Sequence, residues 1–255
     1  MKRVSALFKR LRAEKRCGLI AYITCGDPDR DTSIRVVGEL EAAGADAIEL
    51  GIPFSDPIAD GPVIQAAAQR ALHGGTTTRD MFAIARAVRS RSEIPLIAFS
   101  YLNPVMRYGA EKFATEAAEA GVDSVLLTDL PPEAAAEFRD AMHAHKLGTI
   151  FLLAPTSSAK RIAAIERASD GFVYYVSTTG VTGARRDLDP ALLSRLDEIR
   201  KMLKKPVAVG FGVSQPEHYA LLRDRCDAVV VGSAIVRAIS EGESPGDVVR
   251  RILGA

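Results

Sequence analysis

Along the chain, short runs of apolar residues alternate with longer stretches in which apolar residues recur every three or four positions. Eight runs read as strands: Gly18 to Thr24, Ala47 to Leu50, Leu96 to Ser100, Ser124 to Leu127, Thr149 to Leu153, Phe172 to Val176, Val207 to Val209 and Ala228 to Val231. The intervening segments carry helical spacing, as in Thr32 to Ala43, Met81 to Ser90, Ala110 to Ala120, Glu133 to His145 and Ala191 to Leu203. Strand followed by helix, eight times over, implies parallel strands joined by right-handed crossovers, and eight such units close into a (β/α)8 barrel. An open doubly wound sheet is the alternative architecture. Ahead of the first strand, Val4, Leu7, Phe8 and Leu11 mark one apolar face of an extra amphipathic helix within residues 1–16, expected to plug the bottom of the barrel or pack on its side.

Length and composition narrow the reading. The 255 residues suit one barrel domain spanning 1–255, and no low-complexity linker divides them. The basic and acidic residues number 33 and 32, so the overall charge gives no reason to expect nucleic acid or an anionic membrane as partner. No apolar stretch approaches the roughly 20 residues of a membrane-spanning helix, and the basic N-terminal segment lacks the apolar core of a secretory signal. Cys17, Cys25 and Cys226 have neither metal-ligand nor redox spacing, which fits a reducing, cytoplasmic setting and predicts no metal.

In a parallel barrel, the loops that follow strands gather at one end, where chemistry is placed. Three such loops are glycine-rich: S-T-T-G-V-T-G after strand six, with Gly180 and Gly183, V-G-F-G-V-S with Gly210 and Gly212, and V-G-S-A with Gly232 and Ser233. The last opens a helical pattern, Ala234 to Ile239, whose N-terminal N–H groups suit a phosphate. Arg185 and Arg186 follow Gly183 and are a further candidate anion contact, with a solvated pair as the plainer reading.

The strand-two segment and the loop that follows it carry four acidic residues: Asp46, Glu49, Asp56 and Asp60. Alternation along the strand places Glu49 on the face of small Ala47, toward the lumen, with Ile48 and Leu50 toward the helices. Desolvating such a carboxyl is costly, and acid–base catalysis is the function that uses it. Asp60 reads either as a second catalytic carboxylate or as the N-cap of a helix starting near Pro62. Asp56, before Pro57, is expected to be exposed. Tyr174 and Tyr175 are neighbours on strand six, and alternation alone does not say which enters the lumen.

The stretch E-L-G-I-P-F-S-D-P-I-A-D-G-P-V-I-Q from Glu49 to Gln65 resembles the signature of the tryptophan synthase α-subunit family. Further matches run over almost the whole chain: T-C-G-D-P at 24–28, L-L-T-D-L-P-P-E at 126–133, S-T-T-G-V-T-G at 177–183, then G-F-G-V-S and V-G-S-A-I-V. The resemblance implies cleavage of indole-3-glycerol phosphate to indole and glyceraldehyde 3-phosphate, in the pathway of L-tryptophan biosynthesis. It implies no cofactor in this chain, and a pyridoxal-phosphate β subunit that receives the indole within an α2β2 assembly.

By the same resemblance Glu49 carries the proton and Asp60 holds the indole N–H. Tyr174 is selected over Tyr175 and joins Tyr22, Phe99, Leu126, Thr182 and Phe211 as walls of the indole pocket. Gly183, Gly212, Gly232 and Ser233 hold the phosphate, and Asp56, Asn103 and Pro131 meet the β subunit within the loops 53–61, 103–108 and 131–132. The chain departs from the family at Tyr22, where Phe is common, and at Cys25, where Leu is frequent; both add polar groups near the pocket. Three other readings compete: a different barrel enzyme of a phosphorylated substrate, a stand-alone lyase, and a non-catalytic subunit that keeps the anion site.

Overall fold

A computed structural model describes residues 2–176, 190–210 and 212–254. Its strands are β1 (Gly18–Thr24), β2 (Ala47–Gly51), β3 (Leu96–Ser100), β4 (Ser124–Leu127), β5 (Gly148–Ile150), β6 (Leu152–Leu153), β7 (Val173–Val176), β8 (Val207–Gly210) and β9 (Ala228–Val231). They form one sheet in the order β5-β4-β3-β2-β1-β9-β8-β7-β6, every neighbouring pair parallel. The two ends of that order, β5 and β6, are consecutive in the chain and separated only by Phe151. The ring therefore closes through a single covalent segment, and the predicted strand Thr149 to Leu153 is one barrel strand with a break in its ladder. At the break the Phe151 N–H donates to Ser169 Oγ at 3.2 Å instead of to a neighbouring strand.

Strict alternation separates two cores. Leu19, Ala21, Ile48, Leu50, Leu96, Ala98, Tyr175 and Val209 pack outward against the helices. Ile20, Ala47, Ile97, Leu126, Ile150, Tyr174, Ala208 and Val230 fill the lumen. Helix α1 (Lys2–Glu14) adds Val4, Leu7, Phe8 and Leu11 to the lumen cluster, with the Phe8 ring 5.3 Å from that of Phe172. Of the two expected positions, this is the plug at the bottom of the barrel.

A repeated device holds the same end. Asp46, Asp123, Asp170 and Asp227 each lie in the link leading into an alternate barrel strand, namely β2, β4, β7 and β9. Each accepts an N–H from the first or second residue of the preceding strand: Asp46 from Leu19 at 3.0 Å, Asp123 from Leu96 at 3.0 Å, Asp170 from Thr149 at 3.0 Å and Asp227 from Val207 at 2.8 Å. All four also meet a basic side chain. Asp46 receives both Arg10 and the two-pronged Arg16, at 2.7–2.8 Å, which latches α1 onto the barrel.

Two predicted segments take a different form. The expected loop 103–108 belongs to helix α5 (Leu102–Tyr108), because Pro104 falls in its first turn, where no N–H is needed, and the Leu102 N–H is capped by Asp129 at 2.7 Å. The expected helix Glu133 to His145 is a 3-10 turn at Pro132–Ala134 followed by helix α7 (Ala136–Ala144). Among the described residues no helix is long and apolar enough to cross a membrane. Replacing Asp46 with Ala leaves the Leu19 N–H and two guanidinium groups without their acceptor; the expected loss is about 2–3 kcal/mol of unfolding free energy in a urea titration. An unchanged midpoint would show that the latch contributes nothing.

Candidate active site

Glu49 occupies the middle of β2, in register with Tyr22 on β1 and Ile97 on β3. It is 1% exposed, and neither carboxyl oxygen has a hydrogen-bond partner among the described residues. Burial alone, with no compensating donor, pushes its carboxyl up to about 8. The group therefore holds a proton at neutral pH.

Asp60 approaches from the loop between β2 and helix α3 (Pro62–His73) and is 7% exposed. Its competing role as a helix cap is excluded: Gly61 is the N-cap of α3 and no side chain caps it. Instead the Tyr101 hydroxyl, just past β3, donates to Asp60 Oδ2 at 2.9 Å and accepts the Ala59 N–H at 3.0 Å. Gln65 Nε2 donates to the Asp60 carbonyl at 2.8 Å and so ties the loop to α3. Burial raises the Asp60 carboxyl to about 6 while the Tyr101 hydroxyl pulls the other way. Tyr101 was not legible as a site residue, since its partner lies forty-one positions away.

The predicted walls divide between described and undescribed residues. Tyr22 and Phe99 meet edge to face, ring centroids 5.3 Å apart, and cluster with Ile64, Ala67 and Val236 from the surrounding helices. Leu126 is fully buried in the lumen, and Tyr174, not Tyr175, is the tyrosine that enters it. Burial together with the charges of Glu49 and Asp60 raises the Tyr174 phenol well above its usual range. The Tyr22 phenol is raised likewise, by burial and by Asp60, so both remain neutral hydroxyls at working pH. Gly51 and Gly210 are required by these rings: a Cβ at Gly51 would sit 2.2 Å from the Tyr22 hydroxyl, and one at Gly210 would sit 2.8 Å from that of Tyr174. Gly210 thus serves Tyr174 packing. Thr182, Phe211, Gly180, Gly183, Arg185 and Arg186 lie outside the described residues.

At the candidate anion site, helix α11 (Ser233–Glu241) begins directly after β9 with Gly232 as its N-cap and no side-chain cap among the described residues, an arrangement whose first-turn N–H groups suit an anion. Ser233 is buried beside them, and Gly212 follows β8 with φ of 66°, a conformation that favours glycine. The candidate partner contacts stand on the rim: Asp56, whose carboxylate accepts from Ser55 Oγ at 2.6 Å, Asn103 on α5 and Pro131 before the 3-10 turn are all exposed. So are the large apolar side chains of Ile58, at 80%, and Met106, at 57%, in the same two segments. Among the described residues no group of three or more His, Cys, Asp or Glu could hold a metal ion.

The buried carboxyl makes stability depend on pH in a definite sense. The folded chain binds the Glu49 proton more tightly than the unfolded chain, so the stabilising contribution is complete below the ordinary carboxyl range and is lost as pH rises through about 8. Glu49→Gln removes that loss. We expect the variant to gain stability on the order of 3 kcal/mol more at pH 9 than at pH 5, read as a Tm gain of about 5–10 °C at the higher pH. Calorimetry showing equal gains at both pH values would contradict an uncompensated carboxyl.

The family comparisons agree with this geometry. The model described as tryptophan synthase alpha chain matches residues 8–253. The chain is 52% identical over 241 residues to the tryptophan synthase alpha chain of Solibacter usitatus, covering 94% of this chain and 90% of the relative. It is 48% identical over 237 residues to that of Citrifermentans bemidjiense, covering 93% and 89%. Among solved structures, Mycobacterium tuberculosis tryptophan synthase superposes with a TM-score of 0.90 at 38% identity, over 98% of this chain and 96% of the other. A mutant tryptophan synthase alpha-subunit from Pyrococcus furiosus gives 0.87 at 38% identity, over 93% and 98%. By a match that spans nearly its full length, the chain belongs to the tryptophan synthase alpha chain family.

Proposed function

We propose that the family's α reaction, the retro-aldol cleavage of indole-3-glycerol phosphate to indole and glyceraldehyde 3-phosphate, runs in this chain on Glu49 and Asp60. The observation that carries the reading is that two buried carboxyls are held in opposite protonation states near neutral pH, one titrating at about 8 and the other at about 6.

Glu49, protonated, donates to indole C3. The positive charge that develops on the ring is spread to its nitrogen, where ionised Asp60, aimed by Tyr101, accepts the N–H and stabilises it. Glu49, now a carboxylate, takes the proton from the glycerol hydroxyl next to the breaking carbon–carbon bond as the aldehyde forms. The proton given equals the proton recovered, so the residue ends each cycle in its starting state. Tyr22, Phe99, Leu126 and Tyr174, with Thr182 and Phe211, enclose the indole; Gly183, Gly212, Gly232 and Ser233 hold the phosphate.

The chain works with a β subunit, which holds the pyridoxal phosphate of the assembly, and the chain itself uses no cofactor. We place that partner on the rim formed by Asp56, Asn103 and Pro131, where exposed Ile58 and Met106 supply the apolar contact area. Docking there orders the loop bearing Asp60 and raises activity. The three free cysteines support a cytoplasmic location.

Catalysis through one acid and one base gives a bell-shaped profile of kcat/KM with limbs near the two carboxyl values, about 6 and about 8. Tyr101→Phe removes the hydrogen bond that lowers Asp60, so its acidic limb moves to higher pH while the basic limb stays. Glu49→Gln and Asp60→Asn each lower turnover by at least about a hundredfold, followed as indole and triose phosphate formed together, with and without a β subunit. A normal rate in either variant would remove that residue from the mechanism.

A further inference from the structure

Away from the catalytic mouth, where the strands begin, Cys17 and Cys226 bring their Sγ atoms to 3.8 Å. Cys17 lies in the link between α1 and β1, and Cys226 in the link between helix α10 (Pro216–Leu222) and β9. The Gly18 N–H donates to the Asp227 carbonyl at 2.9 Å, which holds the two links side by side. Cys17 Sγ also donates to the Gly18 carbonyl at 3.6 Å and Cys226 Sγ to that of Leu222 at 3.3 Å. A disulfide has its sulfurs about 2.05 Å apart, so bond formation needs less than about 2 Å of combined movement, in links that carry no strand ladder. The third cysteine, Cys25, follows β1 at the other end and is wholly buried.

Both sulfur-bearing residues line a surface cleft of about 600 Å³, whose walls carry seven Arg and Lys side chains against three aspartates. Arg12, Lys15, Arg16 and Lys201 come from α1, the link after it and helix α9 (Pro190–Met202). Arg16, Arg200, Arg223 and Arg225 are paired with Asp46, Asp227, Asp224 and Asp197, and Arg12, Lys15 and Lys201 supply the remaining positive charge, which raises the local concentration of small anions.

We propose that Cys17 and Cys226 are a modification site, oxidised to an internal disulfide by anionic low-molecular-weight disulfides that the basic cleft gathers. One protein thiolate attacks the small disulfide R–S–S–R, forming a mixed disulfide and expelling RS⁻. The second protein thiolate attacks the protein sulfur of that mixed disulfide, closing the Cys17–Cys226 bond and expelling the second RS⁻. Two protein thiols are oxidised, R–S–S–R is reduced to two RSH, and the two protein protons pass to the two leaving thiolates. The hydrogen bond with Cys17, together with burial, holds the Cys226 thiol above its usual range, so the exchange is slow and the cleft's charge sets its selectivity. The bond closes a loop of 209 positions and ties the start of β1 to the start of β9, leaving the mouth untouched.

The test exposes the full chain to oxidised glutathione and, in parallel, to uncharged 2-hydroxyethyl disulfide. Thiols titrated after denaturation should fall from three to one, peptide mapping should join Cys17 to Cys226, and Tm should rise by about 5 °C or more. The cross-link should vanish in C17S and C226S and persist in C25S; because mapping the unaltered chain identifies the bond directly, poor folding of a serine variant does not decide the matter. Replacing Lys15 and Lys201 together by Glu should slow the reaction with oxidised glutathione at least about threefold at low salt and leave that with the uncharged disulfide unchanged. Persistence of three thiols, an adduct that never resolves to the cross-link, or a bond through Cys25 would overturn the site. Equal rates in the lysine variant would overturn its preference for anions.

Discussion

A carboxyl group without a hydrogen-bond partner, sealed in an apolar lumen, is the constraint around which the open end of this barrel is arranged. Any nearby donor or cation would stabilise the Glu49 carboxylate and draw its proton affinity down toward the ordinary range. Among the described residues none bonds to it: the strand neighbours in register are Tyr22 and Ile97, and the lumen around them is filled by Ala47, Leu126 and Tyr174. Asp60 is treated differently. It receives the Tyr101 hydroxyl and is less deeply desolvated, so two carboxyls of similar intrinsic acidity are separated by about two pH units. Acid and base are thereby assigned by environment, with no difference in chemistry between the side chains themselves.

The closed end follows the opposite rule. There Asp46, Asp123, Asp170 and Asp227 are each met by an N–H near the start of a strand and at least one basic side chain. Their recurrence before every second barrel strand matches the way odd and even strands alternate in contributing the side-chain layers of an eight-stranded barrel. A fully partnered carboxylate stiffens the scaffold, and an unpartnered one stores a proton. The same residue class thus frames the two ends of one barrel for structure and for chemistry.

Much of this was legible in the sequence because apolar period alone distinguishes strand from helix. The strand boundaries of β1, β3, β4 and β9 coincide with the apolar runs, and the parity argument that turned Glu49 inward needed only Ala47, Ile48 and Leu50 beside it. What escaped was non-local. The break at Phe151 depends on Ser169, and the identity of Asp60 as something other than a cap depends on Tyr101. The glycine at 210, read with its neighbours as part of a phosphate loop, is needed for the Tyr174 ring. Helix α5 was hidden by Asn103-Pro104, a pair that signals a turn but also fits a first helical turn. One missed feature did leave a trace: G-A-D-A at 44–47 and G-V-D-S at 121–124 place an aspartate in the same frame before a strand, a repeat that foreshadowed the stapled end.

The separation of the two ends also accounts for Tyr22 and Cys25, the two positions expected to add polar groups near the pocket. Tyr22 lies across Gly51 with its hydroxyl 3.5 Å from Thr24 Oγ1, so the extra oxygen is turned toward the end of β1 while the ring faces Phe99. Cys25 is wholly buried among outward-facing core residues and contributes a small apolar volume, with its thiol held neutral by burial. Neither group is placed as a donor to Glu49, whose oxygens remain without a partner among the described residues. A polar atom added next to a proton-storing carboxyl is compatible with its function as long as it does not bond to it, and the geometry of β1 meets that condition.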